Sequence, residues 1–297
     1  MESRQTPGEA ASVAEAVRAF YEERPYPPPV DDLEKYRAWQ DPQKRRAEYH
    51  LLFPSRSFDQ DHSILVAGCG TSQAAKHAMR WPTARVTGID FSETSVRCSE
   101  ELKRRYRLDN LEVHRLPIEQ ARELNARFDH IVCTGVLHHL PDPEAAFQNL
   151  LRYLKPGGEI QIYLYWQPER RSIKSALLSA VNSTRNLTTR LPHWAVHALA
   201  YPSALAAFLF FVWPYQVMKR VPALRSVAAN MPMKQYAVLP FRVCVNDQLD
   251  RFSAPIENRY TKTEVEAWLS SAGLQKFQVI PNFGWLGTGQ KPESYAS

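Results

Sequence analysis

An uninterrupted apolar stretch runs directly into two closely spaced glycines in the segment ILVAGCGTSQAA, Ile64 to Ala75. A strand that is buried on both faces of a sheet requires such a continuous apolar run. Gly68 and Gly70 permit positive φ and let backbone N–H groups approach a ligand, because glycine has no side chain. The segment therefore predicts a buried strand, a tight turn bordering a ligand, and then a helix.

Strand and helix patterns alternate beyond this turn. Further apolar strands are predicted from ARVTGID, FDHIVCT and GGEIQIYLYW. Between them, Ser92 and Asp142 have the character of helix N-caps, and near the C-terminus Thr261 has capping-box spacing with Glu264. We expect the helix after Asp142 to carry Leu154 on its apolar face and to end at Gly157 and Gly158. This alternation predicts an α/β fold with a doubly wound, mostly parallel sheet.

The alternation is interrupted between two halves of the predicted core. We expect an N-terminal arm over residues 1–60, a ligand-binding core over 61–166, a helical, hydrophobic insertion over 167–256, and completion of the core by 257–297. Residues 191–218 of the insertion contain no Asp, Glu, Lys or Arg, and Pro192, Pro202 and Pro214 are expected to divide them into short pieces. A lid over an apolar pocket, an extra helical layer and a peripheral membrane contact are open interpretations, and a spanning helix is less favoured.

Composition bounds the classes of partner. The net charge is +6, but basic residues are interspersed with acids, as in SEELKRRYRLD, so a nucleic-acid partner is disfavoured. Attraction to anionic phospholipid has the same standing as a nucleic-acid partner. The four cysteines form no C-x-x-C pair, so we expect no metal site. The segment MESRQTPGEA lacks the apolar core of a signal peptide, which favours a cytoplasmic location.

An acidic residue stands where a ribose would be bound. Asp90 follows Gly70 by 20 residues, at the end of a predicted strand, where a carboxylate can accept hydrogen bonds from two sugar hydroxyls. A dinucleotide fingerprint needs a third glycine or alanine at position 73, but this chain has Gln73. A nucleoside-containing ligand is predicted, and a nucleotide-dependent oxidoreductase is the less favoured alternative.

Four segments resemble the successive motifs of class I S-adenosylmethionine-dependent methyltransferases, and of bacterial small-molecule enzymes in particular: ILVAGCGTSQ, VTGIDFSETSV, FDHIVCTGVLHHLPDPEAAFQNLLRYLKPGGEIQIYLY and RYTKTEVEAWLSSAGL. The resemblance covers about Ser63 to Tyr165 and resumes at about Asn258. It implies a Rossmann-like, seven-stranded sheet and S-adenosyl-L-methionine as the cofactor.

The resemblance also implies roles for individual residues. Cofactor-binding positions would be Gly68, Gly70, Thr71, Asp90, Phe91, Glu119, Thr134 and Gly135. Three positions depart from the family pattern. Ala67 stands where an acid is frequent, Ser72 where glycine is frequent, and Pro117 where an adenine-contacting Asp is usual, which Glu119 would replace.

Methyl transfer needs alignment of a nucleophile, exclusion of water and sometimes removal of a proton. His138 and His139 follow a predicted strand at the ligand edge and are the candidate bases, with His138 slightly ahead. Tyr21, Tyr26, Tyr165 and Trp166 are candidate acceptor-binding residues. The apolar insertion favours a small, lipophilic acceptor methylated on O, C or N. A non-catalytic module of the same fold that binds a cofactor or partner is the alternative.

Overall fold

The computed structural model describes residues 15, 17–23, 28–30, 32–52, 62–167, 188, 191, 193–253 and 255–293. The predicted acceptor-binding residue Tyr26 lies outside them. The chain separates into two compact units: unit 1 comprises Met1–Trp166 and Asn258–Ser297, and unit 2 comprises Gln167–Glu257.

Unit 1 is built on a seven-stranded sheet, which confirms the predicted fold class. Its strands are β1 (Ser63–Ala67), β2 (Arg85–Asp90), β3 (Leu111–Arg115), β4 (Phe128–Thr134), β5 (Leu154–Leu164), β6 (Gln275–Pro281) and β7 (Trp285–Gln290). They lie in the order β3-β2-β1-β4-β5-β7-β6, and β7 is antiparallel to both of its neighbours. The order reverses between β1 and β4, so a crevice opens at the carboxyl ends of these two strands.

Helices and short 3₁₀ turns connect the strands. The α-helices are α1 (Pro42–Leu52), α2 (Gln73–Arg80), α3 (Glu93–Tyr106), α4 (Pro143–Leu151), α5 (His193–Ala207), α6 (Trp213–Met218), α7 (Arg225–Ala229), α8 (Phe241–Ser253) and α9 (Lys262–Ser271). The 3₁₀ turns cover Glu34–Gln40, Ile118–Leu124, Leu137–His139, Pro222–Leu224 and Lys234–Val238. Residues 17–23 form a further short helix, here called the arm helix.

The predicted N-caps hold the helices of unit 1 as expected. Ser92 accepts the backbone N–H of Ser95 over 3.1 Å at the start of α3, and Asp142 accepts the N–H of Ala145 over 3.0 Å at the start of α4. Thr261 and Glu264 form the complete capping box of α9. These caps depend on contacts between residues three apart, which the sequence spacing specifies.

The predicted end of α4 was wrong. The helix ends at Leu151, and Leu154, Gly157 and Gly158 belong to β5. Gly157 has φ +69°, and its N–H donates to the carbonyl of Lys291 over 3.0 Å, while Gly158 accepts the N–H of Lys291 over 2.8 Å. The two glycines that were predicted to end the helix therefore pair with Lys291, the residue that follows β7.

The apolar core of unit 1 lies on both faces of the sheet. Leu65 and Ala67 of β1 face one buried cluster, while Ile64 and Val66 face the other. This alternation explains why every position of β1 is apolar or small and buried. The burial of β1 from both sides places the turn that follows it at a fixed point of the crevice.

Unit 2 contains a long helix that the prolines do not divide, contrary to the expectation. Residues Trp194–Met218 are continuously helical through α5, a π-helical turn at Phe208–Val212 and α6. Pro202 is exposed, and the wide turn directly precedes Pro214, which lacks an N–H for the regular helical ladder. By length and composition alone, this helix qualifies to cross a bilayer, and it is the one helix of the described residues that does.

Candidate functional site

The turn after β1 is held by the carboxylate at the end of β2. Oδ2 of Asp90 accepts the backbone N–H of Gly70 over 2.8 Å, and Oδ1 accepts the N–H of Ser92 over 2.9 Å. Asp90 is 8% exposed, and burial raises its pKa despite these backbone hydrogen bonds. Gly70 is a predicted cofactor-binding position, and its own N–H is donated to Asp90.

Position 68 requires glycine because the side chain of Val136, in the loop after β4, approaches it closely. Gly68 has φ +66°, and a Cβ built on it would lie 2.3 Å from Cγ2 of Val136. Such a contact is far inside van der Waals range, and a left-handed φ is costly for residues with a side chain. Gly68 therefore lets the loop after β4 close against the loop after β1.

A cleft of about 480 Å³, measured to its open mouth, lies beside this turn. Of the predicted cofactor-binding residues, Gly68, Asp90, Phe91 and Glu119 line it. Its other lining residues are Val17, Arg18, Leu116, Pro117, Ile118, Val136, Leu140 and Pro141. A lining that is mostly apolar with one buried carboxylate suits a nucleoside ligand.

The arm helix forms one wall of the cleft and is anchored at the start of α3. Oε2 of Glu22 accepts the N–H of Glu93 over 2.8 Å, and Oε1 accepts both the N–H and the hydroxyl of Thr94 over 3.1 and 3.0 Å. The first N–H groups of a helix have no partner within it, so an added carboxylate stabilises them. Burial raises the pKa of Glu22, but the hydrogen bonds from Ser92, Thr94 and Glu93 outweigh it, so the net shift is downward.

Tyr21 of the arm helix contacts the ligand side of the crevice. Its ring lies 6.4 Å from that of Phe91 and 5.7 Å from that of His139, both edge to face. Tyr21 thus contacts both Phe91 and His139. The sequence predicts it as an acceptor-binding residue.

The two adjacent histidines lie in different environments. His138 is fully buried and stacks on Tyr165 with ring centroids 3.8 Å apart. Burial lowers the pKa of His138 well below its usual range, and the nearby His139 and Arg259 add to this effect. His139 is 6% exposed and faces Tyr21. The order suggested by the sequence, with His138 ahead, does not match these environments, since a general base needs contact with its substrate.

Other predicted site residues lie around the crevice without lining the cleft. Thr71 is fully buried, and its hydroxyl donates to the carbonyl of Pro28 over 3.4 Å. Thr134 is exposed at the end of β4, and a Cβ built on Gly135 would meet open space. Tyr165 has the guanidinium of Arg259 5.4 Å from its ring centre, and Arg259 donates to the carbonyl of Trp166 over 3.2 Å.

Sequence reasoning missed the cleft residues outside the recognised motifs. Val17 and Arg18 line the cleft from the arm, and Glu22 anchors the arm to α3. The one available signal for all three is helical spacing next to Tyr21. Leu116 directly follows β3, at the same sheet edge as Asp90, and its position after a strand was the signal that would have found it. Pro117 beside it also lines the cleft, at the position where the family resemblance places an adenine contact.

The residues of this crevice fit a nucleoside cofactor. The carboxylate of Asp90 accepts backbone N–H groups at both oxygens and lines the cleft, and a carboxylate has about four acceptor sites in all. Among the described residues, no group of three or more His, Cys, Asp or Glu side chains lies close enough to hold a metal ion.

Comparison with known proteins places residues 65–160 in the methyltransferase domain family. The chain is similar to an uncharacterized protein of Synechococcus sp., with 32% identity over 173 residues that span 55% of this chain and 40% of that protein. It is also similar to the ubiquinone biosynthesis O-methyltransferase of Idiomarina loihiensis, with 29% identity over 230 residues that span 70% of this chain and 85% of that protein.

Among solved structures, the chain is similar to PKMT2 of Rickettsia typhi, with a TM-score of 0.50 and 15% identity over 82% of this chain and 43% of that one. This likeness concerns the fold alone. The assignment of the domain rests on the match over residues 65–160. Residues 65–160 therefore form a methyltransferase domain, and its cofactor is S-adenosylmethionine.

Proposed function

We propose that this chain methylates an oxygen atom of a small, lipophilic acceptor. The observation that carries the methyl-transfer part of the proposal is the placement of Asp90, buried at the end of β2 with both oxygens accepting backbone N–H groups and lining the cleft. Several curated relatives are named ubiquinone biosynthesis O-methyltransferase, which supports oxygen as the methylated atom and a lipophilic acceptor.

When bound, S-adenosylmethionine supplies a methyl group carried on a positively charged sulfur. The chain's part is to bind, orient and exclude water. Gly68, Phe91 and Leu116 present an apolar wall, and Asp90 and Glu119 present the acidic side chains that suit sugar and adenine polar groups. The arm helix covers this wall through the Glu22 anchor, which limits access of water to the crevice.

Proton removal from an acceptor hydroxyl is assigned to His139 in this proposal. His139 shares its surroundings with Tyr21 and Phe91 of the cleft edge, whereas His138 is enclosed and stacked on Tyr165. A base has to come within hydrogen-bond reach of the proton that it takes. The exposure of His139, small but not zero, favours it over His138.

A matched pair of acceptors tests the proposal. Purified full-length protein is incubated with methyl-deuterated S-adenosylmethionine and one of two acceptors. The first is a phenol or catechol, and the second is the same compound with a polyprenyl chain. The products are analysed by mass spectrometry. We expect O-methylation with at least about tenfold higher kcat/KM for the prenylated compound, because each buried CH₂ contributes about 0.8 kcal/mol. Equal use of both compounds, or a label found on nitrogen, carbon, protein or nucleic acid, would contradict it.

A further inference from the structure

The long helix of unit 2 has a well-packed inner face. Val196, Ala200, Ala204, Ala207 and Val212 recur at helical spacing and are at most 4% exposed. Ala200, Ala204, Ala207 and Val212 form one cluster with Tyr236, Cys244 and Val245, of which the last two belong to α8. A helix packed in this way along its length is attached to its own unit on one side.

The opposite side of the same helix presents large apolar side chains to solvent. We define the outer apolar face as Trp194, Tyr201, Leu205, Leu209, Phe210, Trp213 and Val217, all of them exposed. Trp194 is 73% and Phe210 69% exposed, values typical of charged surface residues. A contiguous exposed apolar surface of this kind marks an interaction site.

The segment that contains this face and follows it in the sequence carries charges of a single sign. Residues 191–246 contain no Asp or Glu, and their Lys and Arg residues follow the outer apolar face: Lys219, Arg220, Arg225, Lys234 and Arg242. Lys219, Arg220, Arg225 and Arg242 are exposed. An apolar face that is followed along residues 219–246 by cations and no acids is complementary to a surface with an apolar interior and anionic groups at its edge.

We propose that unit 2 binds the surface of an anionic phospholipid bilayer through the outer apolar face, with Lys219, Arg220 and Arg225 at the lipid phosphates. The helix lies in the plane of the interface, because its inner face packs on the α8 side of unit 2, whereas a spanning helix would have to leave it. Trp194, Tyr201 and Trp213 are the residue types that prefer the interfacial region. A second copy of the chain fits less well, because self-contact would bring the same cations together.

Sedimentation with vesicles tests this inference and needs no methyl acceptor. The full-length protein is mixed with vesicles of phosphatidylcholine alone or with one third phosphatidylglycerol, at low and high salt. We expect binding to the anionic vesicles that weakens as salt rises. Replacing Lys219, Arg220 and Arg225 together by Gln is expected to weaken binding on the order of 100-fold, since each cation near the surface contributes about 1 kcal/mol.

Matched variants separate the surface from general effects. Phe210→Glu is expected to reduce binding at least about tenfold, whereas Phe283→Glu, at a similarly exposed phenylalanine of unit 1, leaves it unchanged. The charge control replaces three exposed arginines of unit 1, Arg85, Arg104 and Arg122, together by Gln. S-adenosylhomocysteine affinity confirms that each variant is folded, and it reports on the proposed function independently of vesicle binding.

Three results would overturn the inference. One is equal binding to neutral and anionic vesicles, and another is unchanged binding of Phe210→Glu. The third is protein that only detergent, and not alkaline carbonate, releases from the vesicles, which would indicate a spanning helix. A dimer in analytical ultracentrifugation that Phe210→Glu dissociates, without any vesicle binding, would assign the face to a second copy instead.

Discussion

The backbone N–H of Gly70 donates to Oδ2 of Asp90 over 2.8 Å, joining the turn after β1 to the end of β2. The bond couples the shape of the glycine turn to the carboxylate that faces the cleft. A change at Asp90 therefore acts on both the proposed sugar contact and the turn, and the two effects have to be measured separately.

Asp90→Asn is expected to weaken binding of S-adenosylhomocysteine by roughly 10- to 100-fold. An amide keeps the volume but replaces one acceptor oxygen by a donor, which leaves buried hydrogen-bonding groups unpaired at about 1–3 kcal/mol. Isothermal titration calorimetry measures the affinity for S-adenosylhomocysteine. Urea unfolding measures the free energy of unfolding, which reports the effect on the turn. Asp109→Asn, at an exposed aspartate of unit 1, is the control. An affinity unchanged in Asp90→Asn would exclude the ribose role.

Glu22→Gln is expected to loosen the arm helix and to weaken S-adenosylhomocysteine binding about 5- to 30-fold. The change removes a charged acceptor from the first N–H groups of α3, at a cost of about 1–2 kcal/mol. Because the pKa of Glu22 is lowered in the folded protein, this contribution is present at neutral pH and is lost as the pH falls through that lowered value. Limited proteolysis of the arm and calorimetry measure the two effects.

The control for the arm is Glu15→Gln, an exposed glutamate on the same segment without a contact to α3 among the described contacts. If Glu15→Gln and Glu22→Gln weaken binding equally, the effect comes from the arm's charge and not from the anchor at α3.

His139→Gln is expected to lower kcat by about 10²- to 10⁴-fold with cofactor affinity within about twofold of the parent. A positioned general base contributes about this factor to the rate, and glutamine cannot take the proton. Steady-state kinetics with the polyprenylated phenol or catechol as acceptor measure kcat, and calorimetry measures cofactor affinity. A larger loss of kcat in His138→Phe than in His139→Gln would restore the order that the sequence suggests.

His138→Phe is expected to reduce the stability lost between pH 7 and pH 5 by about 2 kcal/mol. The pKa of His138 is lowered well below its usual range, so the folded protein keeps it neutral while the unfolded chain takes up a proton below about pH 6.5. Stability therefore falls as the pH drops through that value, and phenylalanine removes this effect. Urea unfolding at both pH values measures it.

The exposed histidine of β3 provides the comparison, since His114→Phe is expected to keep the pH dependence of the parent. An identical pH dependence in His138→Phe and the parent would show that His138 protonates in the folded state.

Local spacing allowed much of the sheet and its caps to be predicted from the sequence. Continuous apolar runs specify strands such as β1 and β4 because both faces of a parallel sheet are buried. Ser92 caps α3 by accepting the N–H of Ser95, three positions away, and a contact this local can be predicted from the sequence. The 20-residue spacing from Gly70 to Asp90 likewise follows from one strand–helix–strand unit.

The amino-acid sequence by itself thus determined the fold class, the glycine turn and the acidic residue beside it, since each depends on neighbours close in the chain. Only the tertiary structure decided that Glu22 anchors α3, that Val136 fills the space beside Gly68, and that His138 is enclosed. It also assigned Gly157 to a strand and continued a helix through Pro202. These outcomes depend on partners far away along the chain, whose contacts and burial no local pattern records.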